Sequence, residues 1–195
     1  MHLYYNKPLQ LTLTNYNIEQ LVELCKTNNQ FAQLELYNRY YKAMYNTAYR
    51  IVKNSFEAED VMQHAFLQAF SKLDTLKDIK TFGAWLKRIV INKSIYHYNK
   101  STKFNELSLD EVLYKVEDTD GIEEDYEFTS IQAKQVIETM KTLKDNYRVA
   151  LTLHLIEGFD YEEISDIMRI SSANCRTTIS RAKESLRKKM QALVG

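Results

Sequence analysis

A chain with one proline and four glycines among 195 residues has few ways to make tight turns. Hairpin-linked sheets need such residues at left-handed and fixed-φ positions, whereas long helices exclude them from their interiors. Apolar side chains recur here at steps of three and four over long runs, the period of a helix that buries one face. With 45% hydrophobic residues, including 14 Tyr and 8 Phe, packed cores are within reach and a disordered chain is excluded. The expected fold class is all-α, with two small helical domains joined by an acidic linker and a helix-turn-helix in the second.

After a leader over 1–17, Asn17 is placed to cap a first helix carrying Ile18, Leu21, Val22 and Leu24. A longer helix is expected over 30–53, with Phe31, Leu34, Tyr37, Tyr41, Met44, Ala48 and Ile51 as its apolar set. A third, from Ser55 to near Leu73, buries Met62, Ala65, Phe66, Ala69 and Leu73; a fourth starts at Thr81 and continues toward Lys100. Residues 18–102 thus make one helical domain. Over 103–127 ten Asp or Glu stand against two Lys, a self-repelling segment that reads as a linker. A second domain over 128–195 opens with Ile131, Val136, Ile137 and Met140, followed by a helix over 147–156.

The last 40 residues carry the most specific pattern. Asp160, with Glu163 three residues on, makes a capping box ahead of Ile164, Ile167 and Met168 on one face. Ile170, Ser171 and Ser172 supply a turn and a new cap, after which Cys175, Ile179, Ala182, Leu186 and Met190 recur at helical spacing and face inward. Asn174, Thr177, Arg181 and Lys188 then point outward, flanked by Arg176, Ser180, Lys183 and Arg187. Amides, hydroxyls and guanidiniums on a second helix are the groups that read base edges and grip phosphates in a major groove. From Ile167 onward seven Lys or Arg face one acid, Glu184, although the whole chain has a net charge of +0. A solvated basic helix would show the same charge, but the capping box, turn and two apolar faces agree independently on helix-turn-helix.

Other classes lack support. Cys25 and Cys175 have no Cys or His at zinc-ligand spacing, and no nucleophile motif, Gly-rich phosphate loop or metal-binding His pair occurs, so neither catalysis nor a cofactor is expected. No stretch approaches the ~20 apolar residues of a membrane span, and the N-terminus lacks a signal-peptide pattern. A cytoplasmic protein fits.

Several segments also resemble one family. Ala58-Glu-Asp-Val-Met-Gln-His-Ala-Phe-Leu-Gln-Ala-Phe70 is similar to the core-binding segment of bacterial sigma factors, and Phe82-Gly-Ala-Trp-Leu-Lys-Arg-Ile-Val-Ile-Asn92 to the promoter-melting segment that follows it. Residues 143–186, with Tyr147-Arg148, Glu157-Gly-Phe-Asp-Tyr-Glu-Glu-Ile164 and Ser180-Arg-Ala-Lys183, resemble their region 4. Two such domains in this order, over about three quarters of the chain, resemble the extracytoplasmic-function (group IV) sigma factors. The resemblance implies that Asp60, Gln63, Leu67 and Phe70 bind core RNA polymerase. It implies that Arg88, Asn92, Lys93, Tyr96, Tyr98 and Lys100 hold the minus-10 element, with Asn92 at a displaced base. Asn174, Arg176, Thr177, Thr178, Ser180, Arg181 and Lys183 correspondingly face the minus-35 element. Ala173-Asn174 replaces a common Gly-Thr pair and Thr178 a common Arg, which implies a different minus-35 sequence; Lys144 stands where the family usually has Pro.

A neutral chain with one small basic helix is expected to bind DNA weakly by itself, and polymerase then fixes both domains so that two elements are read at once. The acidic linker would lie along a basic polymerase channel, and an anti-sigma factor is the expected regulator. The competing expectation is a stand-alone helix-turn-helix regulator, which would retain duplex DNA at moderate salt without polymerase.

Overall fold

The computed structural model describes residues 13–107 and 131–194, and every regular element among them is helical. The first half holds α1 (Ile18–Lys26), α2 (Gln30–Val52), α3 (Ser55–Ser71) and α4 (Phe82–Leu107). The second holds α5 (Ile131–Lys141), α6 (Asp145–Leu151), α7 (Tyr161–Met168) and α8 (Ser172–Val194). Asparagine starts each of the first three helices. Asn17, Asn29 and Asn54 accept from the backbone N–H of Gln20, Ala32 and Glu57, and Gln20 returns the bond to Asn17 as a capping box. With glycine scarce, three non-glycine residues take the left-handed turns that end or follow helices: Asn28, Lys53 and Arg169, at φ of 59°, 59° and 55°.

The first core is a four-helix cluster. Leu21 and Val22 of α1, Leu36 and Met44 of α2, Met62 and Phe66 of α3, and Leu86 and Val90 of α4 are buried together. Phe82, fully buried, meets Tyr40 edge-on with ring centroids 5.4 Å apart, and a Cβ at Gly83 would come within 2.9 Å of the same tyrosine ring. Gly83 is therefore what lets α4 approach α2.

Two expectations change here. In α2 the buried stripe is Ala32, Leu36, Met44, Ala48 and Ile51, while Phe31, Leu34 and Tyr41 are exposed. Two adjacent apolar rows run along the first half of α2, and periodicity cannot say which of them meets α1. Arg39 of α2 also holds the end of the leader, donating to the carbonyls of Leu13, Thr14 and Tyr16 at 3.2, 2.8 and 2.8 Å. The α4 backbone also runs to Leu107, five residues past the expected domain end at 102. The rest of the acidic segment lies outside the described residues.

In the second half, α6 continues through a wider turn over Thr152–Ile156, closed by the Glu157 N–H to Thr152 carbonyl bond at 3.0 Å. Gly158, at φ 77°, turns the chain toward α7. Val149, Leu151, Leu153, Ile164, Cys175, Ile179 and Ala182 fill the core. Lys144 precedes α6 at φ −57° and ψ 143°, a conformation that a proline ring adopts without strain. Lys144→Pro is therefore expected to stabilise the fold by about 0.4–1 kcal/mol through the unfolded state. Thermal unfolding of the two chains measures it, and a lower midpoint for the variant refutes the account.

Candidate nucleic-acid and partner interfaces

The helix-turn-helix forms as its sequence suggests. Asp160 accepts from the N–H groups of Glu162 and Glu163 at 2.9 and 2.8 Å, and Glu163 accepts from the Asp160 N–H at 3.1 Å. Arg169 closes α7 in the left-handed conformation, and Ser171 Oγ accepts from the Asn174 N–H at 3.2 Å to start α8. Cys175, Ile179, Ala182 and Leu186 are buried, and Met190 is half-buried.

On the outer side of α8, Asn174, Arg176, Thr177, Ser180 and Arg181 are exposed, and Thr178 is half-buried. Asn174 Oδ1 accepts from Thr178 Oγ1 at 3.2 Å, which orients the amide at the head of the helix. Lys183 is held back: its Nζ lies 3.0 Å from His154 Nε2, while His154 Nδ1 sits 3.1 Å from the Phe159 carbonyl. If Nδ1 donates to that carbonyl, Nε2 is left to accept from the ammonium. Further along, Ser180, Arg181, Lys183, Arg187, Lys188 and Tyr147 border a hollow of about 630 Å³. Four cations on its rim suit phosphate oxygens, although Glu184 of the same rim pairs with Arg187 and lies 3.7 Å from Lys188. Burial pushes the Cys175 thiol up against the opposing pull of Arg176, and Cys25 up to about 12, so both remain protonated core residues.

In α4 two faces separate cleanly. Arg88, Asn92, Tyr96 and Lys100, each four residues apart, are exposed, with Tyr96 at 68%. The exposure of Asn92 rules out a role in satisfying a buried backbone group. Lys93 and Tyr98 are half-buried, and Tyr98 packs against the apolar cluster that contains Ile91 and Ile95. Sequence reasoning placed all six on one DNA surface; four form a continuous free row.

On α3, Asp60, Gln63 and Leu67 are exposed, Leu67 at 68%, and Gln63 Nε2 donates to Glu59 at 3.0 Å. Phe70 departs from expectation. It is half-buried and packs on the first core, its ring centroid 6.0 Å from that of Phe66. The missing member is Phe56, exposed at 78% and placed four residues before Asp60 on the same row. Its signal was present, since 56, 60, 63 and 67 continue one helical stripe.

Comparison with known proteins identifies both halves. The Sigma-70 region 2 model matches residues 36–104 and the Sigma-70 region 4 model residues 133–186. The chain is 30% identical over 190 residues to the ECF RNA polymerase sigma-E factor of Escherichia coli K12, covering 89% of this chain and 94% of that protein. It is 28% identical over 184 residues to the ECF RNA polymerase sigma factor SigW of Bacillus subtilis, covering 90% and 98%. Among solved structures, the sigma factor RpoE of Bartonella quintana, determined with the anti-sigma factor NepR, has a TM-score of 0.55 at 21% identity over 76% of this chain and 90% of that one. With both family regions in order along the chain, the chain belongs to the sigma-70 family, as an extracytoplasmic-function sigma factor.

Proposed function

We propose that this sigma factor divides promoter recognition among three faces. The outer row of α3, from Phe56 through Asp60 and Gln63 to Leu67, docks on core RNA polymerase; exposed large apolar groups beside a carboxylate suit a protein partner. Phe70 supports that row from beneath. The free row of α4 holds the minus-10 element: Tyr96 stacks on an unpaired base, Asn92 bonds to a displaced one, and Arg88 and Lys100 meet phosphates. Lys93 and Tyr98 border that row. Asn174, Arg176, Thr177, Thr178, Ser180 and Arg181 of α8 read the minus-35 element, and Lys183 contributes charge from its seat on His154.

The observation that carries the reading is the four-step row on α4: Arg88, Asn92, Tyr96 and Lys100 are exposed, while Leu86, Val90, Ile91 and Ile95 of the same helix are buried. The chain acts in initiation, not as an enzyme, and its work with polymerase places it in the cytoplasm. Among the described residues no helix is long and apolar enough to cross a membrane. An anti-sigma factor, the class of partner with which the Bartonella protein was solved, would act by covering the α3 row or the reading helices. Run-off transcription with core polymerase, with and without the chain, tests the function over templates with random upstream sequence. Transcripts from defined start sites only when the chain is present are expected; their absence overturns the reading.

A further inference from the structure

The first turns of α8 set the hydrogen-bonding polarity of one of their own side chains. Asn174 is exposed in the opening turn, the part of a recognition helix that meets base edges. Its backbone N–H is bonded to Ser171 Oγ, so the cap does not depend on the side chain. Its Oδ1 accepts from Thr178 Oγ1, one turn further along, at 3.2 Å. The amide is exposed, while the threonine that holds it is half-buried.

A side-chain amide has an acceptor end and a donor end. A freely turning Asn uses both on adenine, accepting from the N6 amino group and donating to N7. Asn174 is not free in this way. With Oδ1 engaged by the Thr178 hydroxyl, the end left for a base is Nδ2, which donates and does not accept. Guanine presents two acceptors to the major groove, N7 and O6, whereas cytosine presents only its N4 amino donor. A donor set against that amino group makes no bond and leaves both groups desolvated.

Thr177 does not share this task. Its Oγ1 donates to the Ala173 carbonyl at 2.9 Å, so its proton is used within the helix. Thr178 alone of the two neighbours aims its hydroxyl at the amide, and an amide oriented before DNA arrives has less freedom to lose on binding. We infer that Thr178 is a positioning residue that makes Asn174 a donor-only reader, selecting guanine and rejecting cytosine at one base of the minus-35 element. This rests on the proposed assignment of α8 to that element.

Two measurements on the full chain test it, the first without DNA or polymerase. The side-chain amide resonances of Asn174, identified in an isotope-labelled spectrum by their loss in Asn174→Ala, report the bond itself. Thr178→Val keeps the branched shape and removes the hydroxyl, and is expected to move those resonances; Thr178→Ser should leave them near their wild-type positions. Unmoved resonances in Thr178→Val overturn the inference.

The second is run-off transcription by core polymerase over templates randomised in the minus-35 element. The base whose preference disappears in Asn174→Ala is the one that Asn174 reads. There the wild type is expected to favour guanine over cytosine by roughly 5- to 150-fold, the discrimination given by a well-placed pair of bonds to a base. Thr178→Val should lower that ratio roughly 2- to 10-fold, the worth of one neutral hydrogen bond, and Thr178→Ser should keep it. In the Asn174→Ala background Thr178→Val should change nothing further, because the hydroxyl acts through the amide. Asn174→Asp, whose carboxylate only accepts, should move the preference to adenine or cytosine.

A wild-type preference for adenine at this base overturns the inference, as does a ratio untouched by Thr178→Val or an equal loss in the Asn174→Ala background. So does a full set of preferences in Asn174→Ala when Arg181→Ala alters one. If neither Asn174→Ala nor Arg181→Ala alters any preference, the assignment of α8 has failed instead, and the amide spectrum still decides whether Thr178 orients Asn174.

Discussion

Leu67→Asp is expected to abolish most polymerase-dependent transcription while leaving the fold intact. Leu67 is 68% exposed on α3, one and two helical steps from Gln63 and Asp60, with its neighbours Phe66 and Ala65 buried in the core. Its side chain therefore contributes little to folding. An exposed surface substitution changes stability by about 0.5 kcal/mol. If Leu67 is instead an anchor that a polymerase pocket desolvates, putting a carboxylate there removes roughly 2–4 kcal/mol of binding, since central anchors dominate interface energy. That range corresponds to roughly 30- to 1,000-fold in affinity for core enzyme. Binding of the labelled full chain to core polymerase reads the loss, and thermal unfolding supplies the control. Phe70→Asp should behave differently, losing stability as well as binding, because its ring lies against Phe66. Core binding by Leu67→Asp equal to that of the wild type would remove α3 from the polymerase interface.

How much of this was legible in the sequence varies with the kind of interaction. Local chemistry was readable: the Asn17 and Asp160 caps, the Ser171 turn and the buried row of α8 depend on residues within a few positions of each other. The α3 core row was equally plain, because small and large apolar residues alternate with polar ones on the opposite side. Where a helix carries apolar residues on two neighbouring rows, as at Phe31 and Ala32, only tertiary packing decides which is buried. Contacts between distant segments left no trace in periodicity. Arg39 gathering the carbonyls of Leu13, Thr14 and Tyr16, Arg148 capping α2, and Glu157 reaching Lys87 all join residues whose separation no spacing rule reports. The same limit explains Tyr98 and Lys183. Sequence placed both with the DNA-facing residues, whereas one packs on the apolar cluster that contains Ile91 and Ile95 and the other rests on His154.

Tyr96→Ala and Asn92→Ala are expected to impair promoter opening without weakening the protein, and their contrast with Tyr98→Ala tests the division of α4 into two faces. Tyr96 is exposed and stands one turn beyond Asn92, so a single strand passing along this row would meet an aromatic ring and then an amide. Base–aromatic stacking is worth about 1–3 kcal/mol per base, and loss of a well-placed pair of hydrogen bonds to a base is of similar size. Each substitution should therefore lower open-complex occupancy by roughly 5- to 150-fold. Permanganate reactivity of unpaired thymines within the minus-10 element measures that occupancy. A template already unpaired in this element removes the cost of separating the strands but not the need to hold a flipped base. Tyr96→Ala and Asn92→Ala should hence remain defective on it. Tyr98→Ala should instead lower the thermal midpoint of the free chain, because its ring packs on the apolar cluster that contains Ile91 and Ile95. If all three variants opened the promoter as well as the wild type, the exposed row of α4 would have no part in melting, and the base-holding role would have to move to another helix.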